Sequence, residues 1–250
     1  MSHRPTDSPD WQVAAETLRR KIALGLYRPG DPLPSERQLA HGMGMSRITV
    51  REALRVLRDE RLVEASRGGA GGTLVRALRS RPAADAEAEL RRERGRFLHI
   101  IECRLANEAL SARLAAEHRT DADLEALEET MVATDQASRA LAERHAAGTD
   151  TDDDWQAALR EFRRQDSIFH LTIAAIPGNP YLYRTIEWLR TEFFTPLDLI
   201  QRSRKMQDSV GEHRAILTAI RDRDGEAAGQ AVCRHIESTR QALHRLLERR

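Results

Sequence analysis

Between Arg28 and Arg76 this 250-residue chain is punctuated so closely that few folds accommodate it. RPGDPLPS (28–35) holds three prolines and one glycine, so no helix runs through it. Ser35 opens a short helix, and Gln38 three residues on completes a capping box. HGMGM (41–45) is a turn with two glycines, and Ser46 is the N-cap of a third helix over 47–58. Two strand-like runs, 62–65 and 73–76, then flank a loop with four glycines, the pattern of a β-hairpin. Upstream, 11–25 reads as a helix, with Val13, Leu18, Ile22 and Leu26 recurring at three- to five-residue spacing. Two short helices across a tight turn, followed by a hairpin, make a winged helix-turn-helix over 1–76.

The remainder has a different texture. Residues 77–93 are small, polar and charged, and read as a linker running into the next helix. Helices are expected near 94–118, 121–147, 153–175, 179–194, 208–222 and 225–248. The breaks between them are short, which implies antiparallel neighbours in a bundle. The predicted fold is mainly α: an N-terminal winged helix-turn-helix with a small β-hairpin wing, and a C-terminal all-helical antiparallel bundle over 94–250.

Composition excludes several classes. With 40% hydrophobic and 32% charged residues, no apolar run approaches the roughly 18 residues of a membrane span. MSHRPTDSPDWQ offers no apolar stretch for a signal peptide. Two cysteines make no disulfide framework, so a cytoplasmic location is expected. Residues 1–79 hold 14 basic and 9 acidic side chains, a balance of +5, while 80–250 hold 26 and 30, a balance of −4. A basic head on a mildly acidic body suits a polyanion partner for the head. Chance surface charge gives the same arithmetic.

The third helix carries two adjacent faces. Val50, Ala53, Leu54 and Leu57 form an apolar stripe, and Arg47, Arg51 and Arg55 follow along its flank. Guanidiniums at the start of a recognition helix suit the major groove, where Arg pairs bidentately with guanine. Arg37 is placed to reach phosphate or a base edge. The wing, Arg67 to Gly72, suits the minor groove. The alternative is an ordinary solvated arginine face.

In the body, polar groups interrupt apolar stripes on three helices. Asp166 and His170 share a stripe with Leu159, Phe162, Phe169 and Ile173. His213 lies with Val210, Leu217 and Ile220, and His235 with Ala228, Ala231, Ala242 and Leu246. A buried charge or imidazole needs a partner. One carboxylate and three imidazoles form a set for Zn, Ni, Cu or Fe inside a bundle. The other reading is four separate core residues, each with a local hydrogen bond. Arg104, in a stripe with Phe97, Ile100, Ile101 and Ser111, needs an anion: either a carboxylate ligand or Glu108 one turn on. Asn179 in PGNPYL reads as a helix N-cap.

The stretch from GLYRPGDPLPSERQLA through SRITVREALRVL to the glycine-rich wing closely resembles the DNA-binding domain of the GntR superfamily of bacterial transcription regulators, over roughly 11–76. The resemblance implies DNA contacts from Arg37, Arg47 and Arg51 and a close approach by the wing glycines. The full expected contact set is Arg37, Ser46, Arg47, Thr49, Arg51, Arg67, Gly68 and Gly69. One departure stands out: the family usually has glycine where this chain has Arg61.

The body resembles the FCD ligand domain of the FadR-type branch, whose metal-binding members carry Asp-x-x-x-His and two later histidines. Those positions fall on Asp166, His170, His213 and His235, which the resemblance makes ligands of a divalent ion such as zinc or nickel. It also makes Arg104 a contact for an organic-acid effector.

The expected function is a metabolite-responsive transcription regulator, more a repressor than an activator, binding a palindromic operator as a homodimer. The alternative is a metal-dependent enzyme acting on a small organic acid. Against it, no HExxH or nucleophile motif is present and no further acid is evidently placed as a general base. An architectural DNA-binding protein without a ligand would not need polar groups within apolar stripes.

Overall fold

The computed structural model describes residues 9–66, 72–76, 83–146, 148, 153–193 and 206–248. The chain divides into two compact units, Met1–Ser80 and Arg81–Arg250.

The first unit contains α1 (Asp10–Ala23), α2 (Glu36–Met43), α3 (Arg47–Asp59), β1 (Val63–Ala65) and β2 (Thr73–Val75). Its local signals act as the sequence predicts. Ser35 and Gln38 form a reciprocal capping box on α2, and Gly44 ends that helix with a left-handed φ of 65°. Ser46 caps α3, its hydroxyl accepting the Thr49 N–H at 3.1 Å. The strands pair antiparallel, with Val63 opposite Val75. Two details differ from expectation. Val13 is 40% exposed, and α1 instead buries Ala14, Ala15, Leu18 and Ile22. The proline-rich break also joins the sheet: Pro32 bridges Leu74, and the Gly30 and Leu33 N–H groups bond Val75 and Thr73 carbonyls at 2.8 Å. Leu33 thereby seals a small core with Leu39, Val50, Leu54, Leu57 and Val63.

At the end of α3, Glu60 is the C-cap and Arg61 adopts φ 60°. The Leu62 N–H bonds the Leu57 carbonyl and the Arg61 N–H bonds that of Arg58, each at 2.9 Å. This is a Schellman closure, whose left-handed position glycine fills without strain. Arg61, where the resemblance leads one to expect glycine, occupies that left-handed position.

The second unit contains α4 (Ala83–Arg92), α5 (Arg94–His118), α6 (Asp121–Ala146), α7 (Asp153–Ala175), α8 (Pro180–Glu192), α9 (Met206–Arg221) and α10 (Gly225–Glu248). α4 lies within the stretch read as a linker. Its alanine-rich sequence hides a narrow apolar face, Ala86 and Leu90, that is buried against the body. α5 packs mainly on α10, α6 on α7, and α9 on both α10 and α6. Phe97, Phe162, Phe169 and Phe193 are among the largest fully buried side chains. Asn179 caps α8, its side-chain oxygen accepting the Tyr181 and Leu182 N–H groups at 3.0 and 3.2 Å. Among the described residues no helix is long and apolar enough to cross a membrane.

Candidate metal centre and nucleic-acid interface

α7, α9 and α10 each turn an apolar face inward, and each face carries the polar residues singled out in the sequence. Asp166, His170, His213 and His235 are all buried, and one ligand atom from each lies within 4.8 Å of the others. His170 Nε2 and His213 Nε2 face each other at 3.2 Å. His213 Nε2 lies 3.5 Å from Asp166 Oδ1. Ligand atoms about 2.0–2.1 Å from a tetrahedral ion stand about 3.3 Å apart, so these separations fit a common divalent cation.

The far sides of two imidazoles are held by carboxylates. Glu108 Oε2 lies 2.9 Å from His170 Nδ1, and Glu212 Oε2 lies 2.8 Å from His235 Nδ1. A carboxylate on Nδ1 keeps the proton there and leaves Nε2 with a lone pair for a metal. Among the described residues His213 Nδ1 is buried without a partner. Burial, with the Arg190 cation next, pushes the His170 pKa down to about 4. Burial and neighbouring His235 hold His213 well below the ordinary imidazole range. Both rings are therefore neutral at physiological pH, the form that ligates.

Asp166 stays ionised for a different reason. Burial alone would raise its pKa, but the Arg190 guanidinium beside it holds it below the usual carboxylate range. Arg190 bonds Asp166 Oδ2 and leaves Oδ1 turned toward His213. The same guanidinium lies 3.4 Å from Glu108 Oε2. Glu108 is a hub: Arg104 Nε donates to its other oxygen at 2.6 Å. Its pKa is driven well down by Arg104, then His170 and Arg190, against the opposing effect of burial.

The four residues expected from the sequence lie together in the structure, with charged neighbours that the sequence did not indicate. Arg104 is 3% exposed, ion-paired with Glu108, with its guanidinium 5.2 Å from the Phe193 ring centroid. The internal salt bridge, one of the two readings of Arg104, is present. Arg190 and Glu212 were missed. Arg190 gave the signal that had flagged Arg104, a charge in the apolar stripe of Leu182, Ile186 and Leu189 on α8. Glu212 also lines an open groove of about 600 Å³ with Leu105, Ala215, Arg234 and Glu237, so one carboxylate stands between the His235 ring and solvent.

In the first unit, Arg37, Arg47 and Arg51 are exposed. Arg51 is paired with Glu36 of α2 at 3.0 Å. Ser46 and Thr49 bond each other through their hydroxyls at 2.8 Å, at the exposed start of α3. Arg55, the third member of the sequence row, is tied to Glu52 and Asp59. Arg67, Gly68 and Gly69 lie outside the described residues.

Comparison with known proteins gives these features a family. Residues 12–75 match the model of bacterial regulatory proteins of the gntR family, and residues 99–238 match the FCD domain. The chain is 32% identical over 240 residues to the HTH-type transcriptional repressor NanR of Klebsiella aerogenes, covering 91% of this chain and 82% of the relative. It is 27% identical over 241 residues to the Glc operon transcriptional activator of Escherichia coli K12, covering 94% and 89%. Its fold is similar to that of E. coli McbR/YncC, with TM-score 0.50, 19% identity and coverage of 95% and 98%. Relatives with this pair of domains are regulators, so the enzyme alternative gives way. The chain belongs to the gntR family of bacterial regulatory proteins, in the branch with a C-terminal FCD domain, and is a DNA-binding transcription regulator.

Proposed function

We propose that the regulator is a cytoplasmic homodimer whose affinity for a palindromic operator is set by a small carboxylic acid bound at a divalent-metal site in the body. The observation that carries this reading is the convergence of Asp166, His170, His213 and His235 within 4.8 Å inside a helical core. A core with no ligand to hold gains nothing from three imidazoles and a carboxylate brought together there. A divalent ion, zinc or nickel by donor type, supplies an electrophilic seat for the acid's carboxylate. Glu108 and Glu212 orient His170 and His235 for it, and Arg190 fixes which Asp166 oxygen faces inward. Among the described residues Arg190 Nε is buried without an acceptor, a donor left for the acid beside Arg104.

In the head, α3 is the recognition helix. Arg47 and Arg51 read bases from its first turns, Arg37 binds backbone phosphate or a base edge, and Ser46 and Thr49 place the helix start against the duplex. Arg67, Gly68 and Gly69 follow the adjacent minor groove. Repression is favoured by the name of the NanR relatives. An effector that binds one state of the body better by about 1–3 kcal/mol changes DNA affinity roughly 5–150-fold.

The test is metal analysis of the purified protein together with a salt-dependent DNA shift assay, with and without small mono- and dicarboxylic acids. Release of DNA without turnover of the acid is expected. Metal-free protein that still responds to the acid would sink the reading, as would an Arg47→Ala variant with unchanged sequence preference.

A further inference from the structure

Ile48 is 78% exposed, more than any other large hydrophobic side chain of the first unit among the described residues. It is the second residue of α3, between Arg47 and Thr49. At 100° per residue it points directly away from the buried stripe of Val50, Ala53, Leu54 and Leu57. Arg51, one turn on, lies on the same outward side, and Arg47 precedes it. The next outward residues, Glu52, Arg55 and Asp59, are engaged with one another at 2.7 and 2.8 Å. The outward surface of α3 therefore has two parts: an N-terminal turn with Arg47, Arg51 (paired with Glu36 of α2) and an isoleucine at its apex, and a remainder whose Glu52, Arg55 and Asp59 pair within the helix. An apex of four apolar carbons contributes nothing to the core and nothing to phosphate binding.

We infer that Ile48 is a specificity residue that packs on the C5-methyl group of a thymine in the major groove of each half-site. This rests on α3 being the recognition helix. The N-terminal residues of such a helix meet base edges, and among base edges only thymine presents a methyl group there. The flanking arginines supply the charge complementarity that brings the apex to the groove floor.

The probe is deoxyuridine, which keeps every hydrogen-bonding group of thymidine and lacks only the methyl. A half-site is first selected from random duplexes with the full-length protein. Each of its thymines is then replaced singly by deoxyuridine and the affinity measured. The wild type is expected to weaken about three- to fivefold at one position per half-site, the worth of roughly one buried methyl group. Ile48→Ala should bind the thymine and uracil duplexes equally, while Ile48→Val retains part of the difference. Circular dichroism of the variants should match the wild type, because the side chain is mostly exposed. The inference fails if the wild type is indifferent to every substitution, if the selected half-site has no thymine, or if Ile48→Ala discriminates as well as the parent. Loss of the recognition-helix reading is recognised separately, by an Arg47→Ala variant that still selects the parent sequence.

Discussion

Glu212 holds His235 by its Nδ1 at 2.8 Å, one residue before His213 in α9. A single turn of α9 thus delivers one candidate ligand and the carboxylate that aims another from α10. Glu212→Gln keeps the shape and removes the charge. Metal affinity is expected to fall about 10–100-fold, the usual cost of losing such a partner. Competition against a chromophoric chelator measures it; affinity unchanged by the substitution would show the contact to be incidental.

Arg190 bridges two buried carboxylates, Asp166 and Glu108, and Glu108 is also paired with Arg104. Removing it as Arg190→Met strands Asp166 and leaves Glu108 to Arg104, at a cost of about 3–5 kcal/mol in metal-free protein. A divalent cation in the centre compensates part of that charge, so the metal-loaded variant should lose less. Thermal unfolding with chelator and with added zinc provides the comparison, and equal losses in the two states would argue against a cation site.

Acid should soften the metal-free body over a defined window. The folded His170 pKa lies near 4, below the ordinary value of about 6.5. Between those limits the unfolded chain binds a proton that the folded chain does not, so stability is complete above the window and falls as pH drops through it. About 3 kcal/mol is at stake from this ring. Asp166 and Glu108, both held below the usual carboxylate range, add further loss under pH 4 as their unfolded counterparts protonate. Unfolding midpoints of chelator-treated protein, recorded from pH 7 to 4.5, should decline; a flat profile contradicts the arrangement.

Arg61 and Arg223 both adopt left-handed φ, 60° and 58°. Arg61→Gly should stabilise the first unit by about 1 kcal/mol, since among the described residues no hydrogen bond or ion pair of the Arg61 side chain compensates. Arg223→Gly should gain less or nothing, because its guanidinium bonds the Arg119 carbonyl at 3.0 Å and that of Glu117 at 3.5 Å. Denaturant titration of the two variants tells them apart.

What was legible in the sequence was whatever is written locally. Ser35, Gly44, Ser46 and Asn179 act on neighbours within four residues, and the structure uses them as read. The four candidate ligands were legible because each interrupts an apolar stripe of its own helix. Arg190 interrupts the apolar stripe of its helix in the same way, but its partners lie 24 and 82 residues away, so no local pattern shows what it pairs with. The strand-like edge at Pro32 escaped because prolines argue against pairing, whereas the donors used belong to Gly30 and Leu33. α4 escaped because a thin face of Ala86 and Leu90 looks like linker composition.

The division of α3 into a cationic tip and a self-paired stem has a consequence for the genome it serves. Arg47 to Arg51 spans about 6 Å along the helix axis, the length of roughly two base-pair steps. So brief a probe can spell out only a very short word. In the proposed homodimer, a second copy of the chain repeating it across the dyad would make the message rare enough to mark a promoter.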